Sequence, residues 1–417
     1  MSQTVFVAMS GGVDSSVSAA LLQRQGFKVV GVFMKNWSEK NSHSSHPELV
    51  SGSFCSAEQD FADMRAVCQH LGIPYYTFNF EAEYKKQVLD YFFAEYKTGR
   101  TPNPDVMCNK EIKFGLFLKK SLALGADFIA TGHYARKRAM TNSKCQIPNG
   151  ESPRNRGGIK KSDSSRYRGD TLVHQLLKGV DGVKDQTYFL YNLTQAQLAK
   201  TLFPIGQYPK KRVRALARQF KLPTADKPDS QGICFIGPVD VKQFLKTAIT
   251  SKNGKIVNLD GKVVGEHEGA WFYTVGQRRV AGLSGQKDPL YVVSTDIKKN
   301  LVVVGPDSAT YGRGVILEDL HLIDPKYFVR HPEFISGSHL IGKIPKQVRN
   351  DGVGGLSAKP RYGPDIYAGT LDKKGKEWHF VFHNPVRALT PGQSLVLYDG
   401  SICIGGGIIR KVAKSRK

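Results

Sequence analysis

The sequence predicts an α/β fold with a parallel-sheet domain at the N-terminus, a small central domain and a C-terminal β-barrel. Strand and helix patterns alternate over residues 1 to about 135, which is typical of a parallel sheet with helices on both faces. Beyond Gly254, short apolar runs alternate with Gly, Asp and Pro turns, which indicates an all-β region. The length of 417 residues suits two or three domains.

We therefore divide the chain into residues 1–208, which form the sheet domain, residues 209–285, which form a central linker domain, and residues 286–417, which form the barrel. Three polar stretches, 36–53, 137–170 and 345–359, are interpreted as surface insertions that carry no chemistry.

The first element is the most informative one. Val5–Met9 is an apolar run too short for a helix and suited to a buried parallel strand. A turn of Gly, Ser and Asp follows at 10–16, and a helical pattern then continues to Gly26. In this order, glycines let backbone N–H groups approach a phosphate, and the helix N-terminus adds a favourable dipole. The segment predicts a nucleotide site.

Two common phosphate-binding loop motifs do not fit these residues. No lysine follows the glycines, so this is not a Walker P-loop, and Ser15 stands where a dinucleotide fingerprint needs a third glycine. The residues resemble the pyrophosphate loop, S-G-G-x-D-S, of enzymes that split ATP into AMP and pyrophosphate. The matching residues are Ser10, Gly11, Gly12, Asp14 and Ser15. A simple helix N-cap with a glycine turn is the alternative.

The other elements follow from similar patterns. Strands are predicted at Lys28–Met34, Pro74–Phe80 and Asp127–Thr131, and helices at Ala57–Leu71, Glu81–Tyr96 and Ile112–Leu124. Later strands are predicted at Lys255–Asn258, Trp271–Val275, Leu290–Ser294, Leu301–Val304, Trp378–Phe382 and Ser394–Tyr398. Ligands of parallel sheets bind beyond the C-terminal strand ends. Ser10, Met34 and Gly132 lie at such ends, so one nucleotide could contact all three.

The charge of the chain points to a polyanionic partner. Lys and Arg number 60 against 36 Asp and Glu, which gives a net charge of +24 and a pI near 9.7. ATP does not need this much positive charge, whereas a nucleic acid would use it. No run approaches the ~20 apolar residues of a membrane span, and no signal peptide is visible. We expect a cytoplasmic protein with no membrane partner.

The cysteines are Cys55, Cys68, Cys108, Cys145, Cys234 and Cys403. They form no C-x-x-C pair, which argues against a zinc or iron–sulfur site. Cys108 follows a proline-stiffened loop near a helix N-terminus, where the dipole and Lys110 favour a thiolate. A buried cysteine with Asp105 as a helix cap is an equal alternative. Cys234 is predicted at the start of a strand after a mobile loop. Its local sequence alone is more typical of a cysteine buried in the core.

Taken together, the motifs resemble bacterial tRNA-specific 2-thiouridylases. They are the pyrophosphate loop, TPNPDVMCNKEIKF at 101–114, ATGHYAR at 130–136, KDQTYFL at 184–190, DSQGICFI at 229–236 and TPGQ at 390–393. The resemblance covers nearly the whole chain apart from the polar stretches. It implies an adenine-nucleotide hydrolase-like (PP-loop) fold for the N-terminal domain.

The resemblance also implies a reaction. ATP, with Mg²⁺ on its phosphates and no tightly bound metal, adenylates the C2 oxygen of the wobble uridine in tRNA and releases pyrophosphate. A sulfur-carrier protein delivers a persulfide to Cys234, and that sulfur displaces AMP from C2. Cys108 resolves the persulfide and leaves a transient disulfide with Cys234. Asp105 moves a proton.

The resemblance also assigns roles to individual residues, at the positions where this sequence matches the family motifs. The resemblance assigns ATP binding to Ala8, Met9, Ser10, Gly11, Gly12, Val13, Asp14, Ser15, Met34 and Gly132. It assigns contact with the target base to Asn103, Pro104 and Asp105, and contact with tRNA to His133, Lys184, Asp185, Gln186, Arg361, Tyr362 and Gln393. The basic residues of Lys210–Arg218 and Arg278-Arg279 would add phosphate contacts.

Two rival functions remain at this stage. An amidotransferase-type synthetase would share the ATP loop but would not need Cys108 or Cys234. A tRNA-binding protein without catalytic activity is the second rival, and the intact loop and both cysteines argue against it.

Overall fold

The computed structural model describes residues 2–37, 54–141, 172–229, 240–278, 280, 288–331, 334–336 and 355–413, with the backbone alone at 54–57, 141, 335 and 336. Cys234, with the strand predicted there, and most of the three polar stretches lie outside these residues. Within them, no helix is long and apolar enough to cross a membrane.

The strands are β1 (Thr4–Ala8), β2 (Lys28–Lys35), β3 (Tyr75–Asn79), β4 (Phe128–Ala130), β5 (Ala135–Thr141), β6 (Leu172–Lys178), β7 (Thr201–Leu202), β8 (Gly254–Val257), β9 (Val263–His267), β10 (Tyr291–Asp296), β11 (Leu301–Gly305), β12 (Tyr311–Leu322), β13 (Ile335–Ser336), β14 (Ser357–Lys359), β15 (Tyr367–Lys374), β16 (Glu377–Arg387), β17 (Ser394–Asp399) and β18 (Ile402–Ala413). The α-helices are α1 (Val13–Arg24), α2 (Phe54–Leu71), α3 (Glu81–Tyr84), α4 (Asp90–Lys97), α5 (Pro104–Met107), α6 (Leu118–Ala123), α7 (Gln195–Ala199), α8 (Lys210–Gln219), α9 (Val241–Lys246) and α10 (Tyr327–Arg330).

The N-terminal sheet is parallel, with the strand order β3-β2-β1-β4-β7. Successive residues of β1 point to opposite faces. Val5 and Val7 join one apolar cluster with Val17 of α1. Phe6 joins another cluster that includes Cys108. The predicted α/β sheet is confirmed, and its carboxyl edge carries the loop after β1.

Two helical stretches differ in detail from the sequence pattern. A π-helical segment, Lys85–Leu89, joins α3 to α4, and another, Cys108–Phe117, joins α5 to α6. The helix predicted from Ile112 begins at Pro104, because the Asn103 side chain accepts hydrogen bonds from the backbone N–H groups of Asp105 and Val106. Asparagine before a proline at the first helical position is a strong start signal.

A four-stranded sheet follows, in the order β10-β11-β8-β9. The strand predicted at Trp271–Val275 is wrong, since Ala270–Phe272 forms a 3₁₀ turn. The Asn300 side chain accepts a hydrogen bond from the Ala270 N–H, which replaces a strand partner. β11 pairs with β8, which lies on the other side of the predicted boundary at 285 and 286, and β10 joins the same sheet through β11. We therefore propose a boundary near Gly305 instead.

The C-terminal region is a closed barrel. β12 pairs with β16 on one side and with β18 on the other, so the path β12-β16-β15-β14-β17-β18 closes on itself. The hairpin of β5 and β6 leaves the N-terminal domain and adds to β18. The interpretation of 137–170 and 345–359 as insertions is therefore wrong at their ends, because Lys137–Thr141 and Ser357–Lys359 pair as strands.

Candidate functional site

The loop between β1 and α1 is tightly folded. Gly11 has a φ of +73°, and a Cβ there would lie 2.2 Å from the backbone oxygen of Asp60, so this position requires glycine. The Ser15 hydroxyl accepts a hydrogen bond from the Ser10 N–H at 3.2 Å and donates to the Gly12 carbonyl at 3.1 Å. Gly12 is the N-cap residue and has no side chain to cap α1. The first turn of α1 can therefore offer N–H groups to an anion.

The predicted ATP-site residues meet at this edge of the sheet. A Cβ on Gly132 would lie 2.8 Å from the Ser15 nitrogen and 2.9 Å from the Asp14 carbonyl carbon, so Gly132 packs directly on the start of α1. The Met9 N–H donates a hydrogen bond to the Val32 carbonyl at 2.8 Å. Met34 lies two positions further along β2, in the same apolar cluster as Ala8.

Asp14, in the first turn of α1, is the centre of a polar cluster. The Lys210 ammonium donates to both carboxylate oxygens of Asp14, at 2.8 and 2.9 Å. The Tyr134 hydroxyl donates to Asp14 at 2.7 Å. Burial raises the pKa of Tyr134, and the negative charge of Asp14 raises it further. This tyrosine remains protonated and acts as a hydrogen-bond donor.

Lys210 also bonds a second carboxylate, that of Asp229, at 2.8 Å. Asp229 also accepts from Lys184 at 2.8 Å and from Arg214 at 2.7 Å. Burial alone would raise the pKa of Asp229, but hydrogen bonds from Lys184 and Lys210 outweigh it and hold that pKa well below its usual range. The Asp229 carboxylate therefore stays ionised at neutral pH.

The loop before Cys108 is held by its own side chains. Asn103, rather than Asp105, caps α5. The Asn109 amide donates to the Asp105 carbonyl at 2.9 Å, which fixes the turn between them. Cys108 is the first residue of the π-helical segment and is fully buried. A thiol in this position must be uncovered before it can react.

The barrel contacts this same loop. Gln393 donates to the Thr101 carbonyl at 2.9 Å, and the Thr101 N–H donates to the Pro391 carbonyl at 2.9 Å. Gly392 has a φ of +93°. A Cβ there would lie only 2.7 Å from the Thr101 nitrogen, so this close approach requires glycine. The turn 390–393 thus places Gln393 beside the loop that carries Asn103, Pro104 and Asp105.

Tyr362 lies at the rim of the same region. Its ring centroid is 4.5 Å from that of Phe189, and 40% of the residue is exposed. Burial raises the pKa of Tyr362, and the charges of Lys184 and Asp105 also act on it. Its neighbour Arg361 donates to the Ala388 carbonyl at 3.3 Å. Charges from distant parts of the chain, Lys184 and Asp105, thus both act on the Tyr362 hydroxyl.

Two of the predicted tRNA contacts are buried. Asp185 is 2% exposed, and its carboxylate accepts hydrogen bonds from Thr187 and, at 3.0 Å, from the Lys359 ammonium. The Asp185 side chain is therefore engaged within the protein, and its assignment to tRNA contact stays a prediction. His133 is 7% exposed and bonds Thr131 at 2.7 Å. Burial holds the pKa of His133 well below its ordinary value, and the charge of Lys113 lowers it further, so its ring is neutral.

Gln186 also has a partner within the protein, because its side-chain oxygen accepts from the Tyr134 N–H at 3.0 Å. Arg278 is exposed, and Arg279 lies outside the described residues. In α8, Lys210 and Arg214 point to Asp229, whereas Lys211 and Arg212 are exposed. Only part of the predicted basic segment is therefore open to a phosphate backbone.

Known families match the chain along most of its length. Residues 3–238 match the family described as "tRNA methyl transferase HUP domain". Residues 242–306 match the "tRNA methyl transferase PRC-barrel domain" family, and residues 338–409 match the "Aminomethyltransferase beta-barrel domain" family. The tRNA-specific 2-thiouridylase MnmA of Alkaliphilus oremlandii is 42% identical over 98% of both chains. The chain belongs to the tRNA-specific 2-thiouridylase family.

Other members of the tRNA-specific 2-thiouridylase family are equally similar. The MnmA of Bacillus pumilus is 42% identical over 98% of this chain and 95% of its own, and that of Stutzerimonas stutzeri is 41% identical over 98% and 94%. The solved structure titled "Crystal structure of a 4-thiouridine synthetase - RNA complex with bound ATP" aligns with 58% of this chain and 50% of its own, with a TM-score of 0.30 and 13% identity.

Sequence reasoning missed the roles of Asp229, Tyr134 and Lys359 in this 2-thiouridylase site. Each role depends on a partner far away in the chain, as Lys359 depends on Asp185. One signal was available for α8: Lys210 and Arg214 are four residues apart and therefore share one helix face. That spacing could have indicated a common acidic partner.

The buried ion pair between Lys359 and Asp185 allows a prediction about stability. Lys359→Met should lower the free energy of unfolding by about 3–5 kcal/mol, because it leaves a buried carboxylate without its cation. Lys374→Met, which removes an exposed cation 3.6 Å from Asp372, should cost less than about 1 kcal/mol. Urea unfolding of the two variants makes the comparison, and equal losses would contradict the buried pair's importance.

Proposed function

We propose that this chain is an ATP-dependent tRNA-uridine 2-sulfurtransferase. It adenylates the C2 oxygen of the wobble uridine and then replaces that oxygen with sulfur carried as a persulfide on Cys234. The observation that carries the proposal is the link from Asp14 through Lys210 to Asp229. Cys234 lies five residues after Asp229 in the sequence. A fully extended chain of that length spans at most about 17 Å. Chain length alone therefore limits how far Cys234 can lie from Asp229, which Lys210 links to the ATP loop.

The loop residues suit the first step. The N–H groups at the start of α1 and the hydroxyls of Ser10 and Ser15 can bind the phosphates of ATP. The uridine oxygen attacks the α-phosphate, and pyrophosphate leaves. A ring oxygen is a poor leaving group, whereas AMP is a good one, so this step prepares the exchange for sulfur.

Mg²⁺ would arrive with ATP as part of the substrate. Among the described residues, no three His, Cys, Asp or Glu side chains form a group that could hold a metal ion. Asp14, the carboxylate within the loop motif, is already bonded to Lys210 and Tyr134. The phosphates and water are therefore the ligands we expect for the ion.

Sulfur transfer needs two thiols. The terminal sulfur of the Cys234 persulfide attacks C2 and expels AMP, which leaves a Cys234–S–S–C2 adduct. The Cys108 thiolate then attacks the Cys234 sulfur, and the bond electrons leave with the sulfur on C2. This step gives 2-thiouridine and a Cys108–Cys234 disulfide, which a reductant reopens. Asp105, three residues before Cys108 in the sequence, is the proposed proton carrier.

Binding of tRNA would use the surface around this loop. The target base must leave its stack to reach ATP, so the protein must hold the surrounding backbone. Gln393, which bonds the Thr101 carbonyl next to the Asn103–Asp105 loop, is one candidate for these contacts. Tyr362 and Lys184, whose charge acts on it, are the others. The net charge of +24 favours the polyanion. A sulfur-carrier protein that delivers the persulfide, and a cytoplasmic location, complete the proposal.

The names of the matching families differ in the group transferred, methyl or sulfur, and one reaction distinguishes the two. Purified protein is incubated with ATP, a persulfide donor and tRNA that lacks the modification, and the nucleosides are analysed by mass spectrometry. We expect replacement of oxygen by sulfur at the wobble uridine, with AMP and pyrophosphate formed in equal amounts. Sulfur-free tRNA after full ATP turnover, or a methylated nucleoside formed with a methyl donor, would refute the proposal.

A further inference from the structure

Lys210 occupies an unusual position between two acidic partners. Its ammonium group has three N–H donors, and three oxygens lie within 2.9 Å of it, two on Asp14 and one on Asp229. Asp14 belongs to the ATP loop. Asp229 ends a segment, Thr224–Asp229, that leads toward Cys234, and we call this segment the strap.

The strap is attached to the sheet domain by several charged contacts. Lys227 bonds Asp60 and Asp63 of α2, at 2.6 and 2.5 Å. Arg214 donates to the Lys227 carbonyl at 3.0 Å and to Asp229. Asp60 is also the residue whose backbone packs on Gly11. The strap is therefore joined to the surroundings of the ATP loop at Lys227 and at Asp229.

The backbone of Lys210 is held in place. Asp181 accepts hydrogen bonds from the N–H groups of Lys210, Val183 and Lys184, at 3.0 to 3.2 Å. A change in the contacts of Lys210 must therefore come from its side chain alone. That side chain is 14% exposed and can reach Asp14 and Asp229 without any movement of α8.

A polyphosphate bound at the start of α1 would compete for these donors. All three are in use, so a bond from Lys210 to a phosphate oxygen requires the loss of a carboxylate contact. Asp229 is the contact that can be given up, because it keeps Lys184 and Arg214 as partners. Asp14 would otherwise stand unscreened beside the phosphates, and like charges repel strongly at short distance.

We propose that Lys210 is a phosphate-binding residue that bonds the β- and γ-phosphates of ATP in exchange for Asp229, and so couples phosphate binding to the strap. This inference rests on the proposed function and deepens it, because it assigns a residue outside the pyrophosphate loop to phosphate recognition. AMP lacks the two outer phosphates and leaves Lys210 on Asp229. The strap should therefore respond to ATP and not to AMP.

Nucleotide binding to the full-length protein without tRNA tests the inference. Lys210→Met should weaken MgATP binding by about tenfold or more, as expected for a lost charge-assisted hydrogen bond. It should weaken AMP binding by much less, because AMP loses only the screening of Asp14 and no direct bond. Lys211→Met is the matched control, since Lys211 is the adjacent, exposed lysine of the same helix, and it should change neither. Equal losses for ATP and AMP, or equal ATP affinity in the two variants, would overturn the assignment.

A double-mutant cycle tests the exchange with Asp229. Asp229→Asn should tighten ATP binding a few-fold in the wild-type background, because Lys210 is released from a competing carboxylate. The gain should largely vanish when Lys210 is already Met, since the coupling acts through that side chain. In parallel, ATP but not AMP should speed amide hydrogen exchange over residues 224–229 in wild type, and this difference should be absent in Lys210→Met. A gain that survives in Lys210→Met, or an exchange difference that does, would refute the coupling.

These measurements separate the inference from the proposed function. Wild-type protein that binds ATP through Lys210 but never thiolates tRNA would leave the inference standing and end the proposed function. Wild-type protein that thiolates tRNA while Lys210→Met binds ATP normally would do the reverse.

Discussion

Cys234→Ala should abolish sulfur incorporation into tRNA while ATP-dependent adenylation continues. The alanine has no sulfur to carry, but the loop between β1 and α1 is untouched, so pyrophosphate release that depends on tRNA should persist. We expect the rate of thiolation to fall by at least about a thousandfold, the order seen when a covalent catalyst is removed. Unimpaired thiolation in this variant would show that the persulfide forms elsewhere.

Cys108→Ala should fail at a later step, which distinguishes the two thiols. Without the resolving nucleophile, the Cys234–S–S–C2 adduct should accumulate as a covalent protein–tRNA species. Excess dithiothreitol should cleave it and release thiolated tRNA. Denaturing gels with and without reductant make the test, and thiolation at the wild-type rate would remove Cys108 from the mechanism.

Cys68→Ala is the matched control for both variants. Cys68 is buried in the core beside Met64, and burial raises the pKa of its thiol to about 11. It is therefore inert as a nucleophile at neutral pH. The Cys68→Ala protein should thiolate tRNA at close to the wild-type rate. A loss as large as that of Cys108→Ala would mean that packing, and not sulfur chemistry, explains the cysteine effects.

Gly132→Ala should damage ATP use more than it damages the fold. Its methyl group would lie 2.8 Å from the Ser15 nitrogen and 2.9 Å from the Asp14 carbonyl carbon. Both are backbone atoms that cannot rotate away, so the first turn of α1 must shift. Displacement of a binding group by about 1 Å can cost about a hundredfold in rate. We expect a loss of that order in kcat/KM for ATP, measured by pyrophosphate release.

Two other glycines calibrate the Gly132→Ala result. Gly182→Ala adds a methyl group with nothing within 4 Å, so it should leave activity and stability unchanged. Gly206→Ala would place its Cβ 1.6 Å from the Ala135 oxygen and should destabilise the fold. If Gly132→Ala lowers the melting temperature as much as Gly206→Ala does, its loss of activity cannot be attributed to the phosphate site.

Local patterns were sufficient for the parallel sheet and its loop. The strand–loop–helix segment at 4–24 was predicted from adjacent residues, because apolar runs and glycine turns act over a few positions. The helix start at Pro104 was missed although Asn103 and Pro104 are a known start signal. The apolar pattern around Trp271 favours a strand, but Ala270–Phe272 forms a 3₁₀ turn whose first N–H donates to the Asn300 side chain.

The tertiary contacts could not be predicted from local patterns. Nothing in the segment 184–186 distinguishes the half-buried Lys184 from the fully buried Asp185, because the partner of Asp185 is Lys359, far along the chain. The resemblance placed both among the tRNA contacts. The role of Lys210 likewise depends on Asp14 and Asp229. Site residues defined by distant partners need the folded structure.

The hairpin of β5 and β6 has a consequence for dissecting the protein. It is encoded in the middle of the nucleotide domain, yet β6 forms its outer pairing with β18, which lies at the far end of the chain. A polypeptide truncated after Gly305 would keep the hairpin and lose its neighbour. The uncovered edge of β6 would then be open to pairing with other molecules and prone to aggregation. Attempts to prepare the ATP-binding half alone should remove the hairpin together with the barrel.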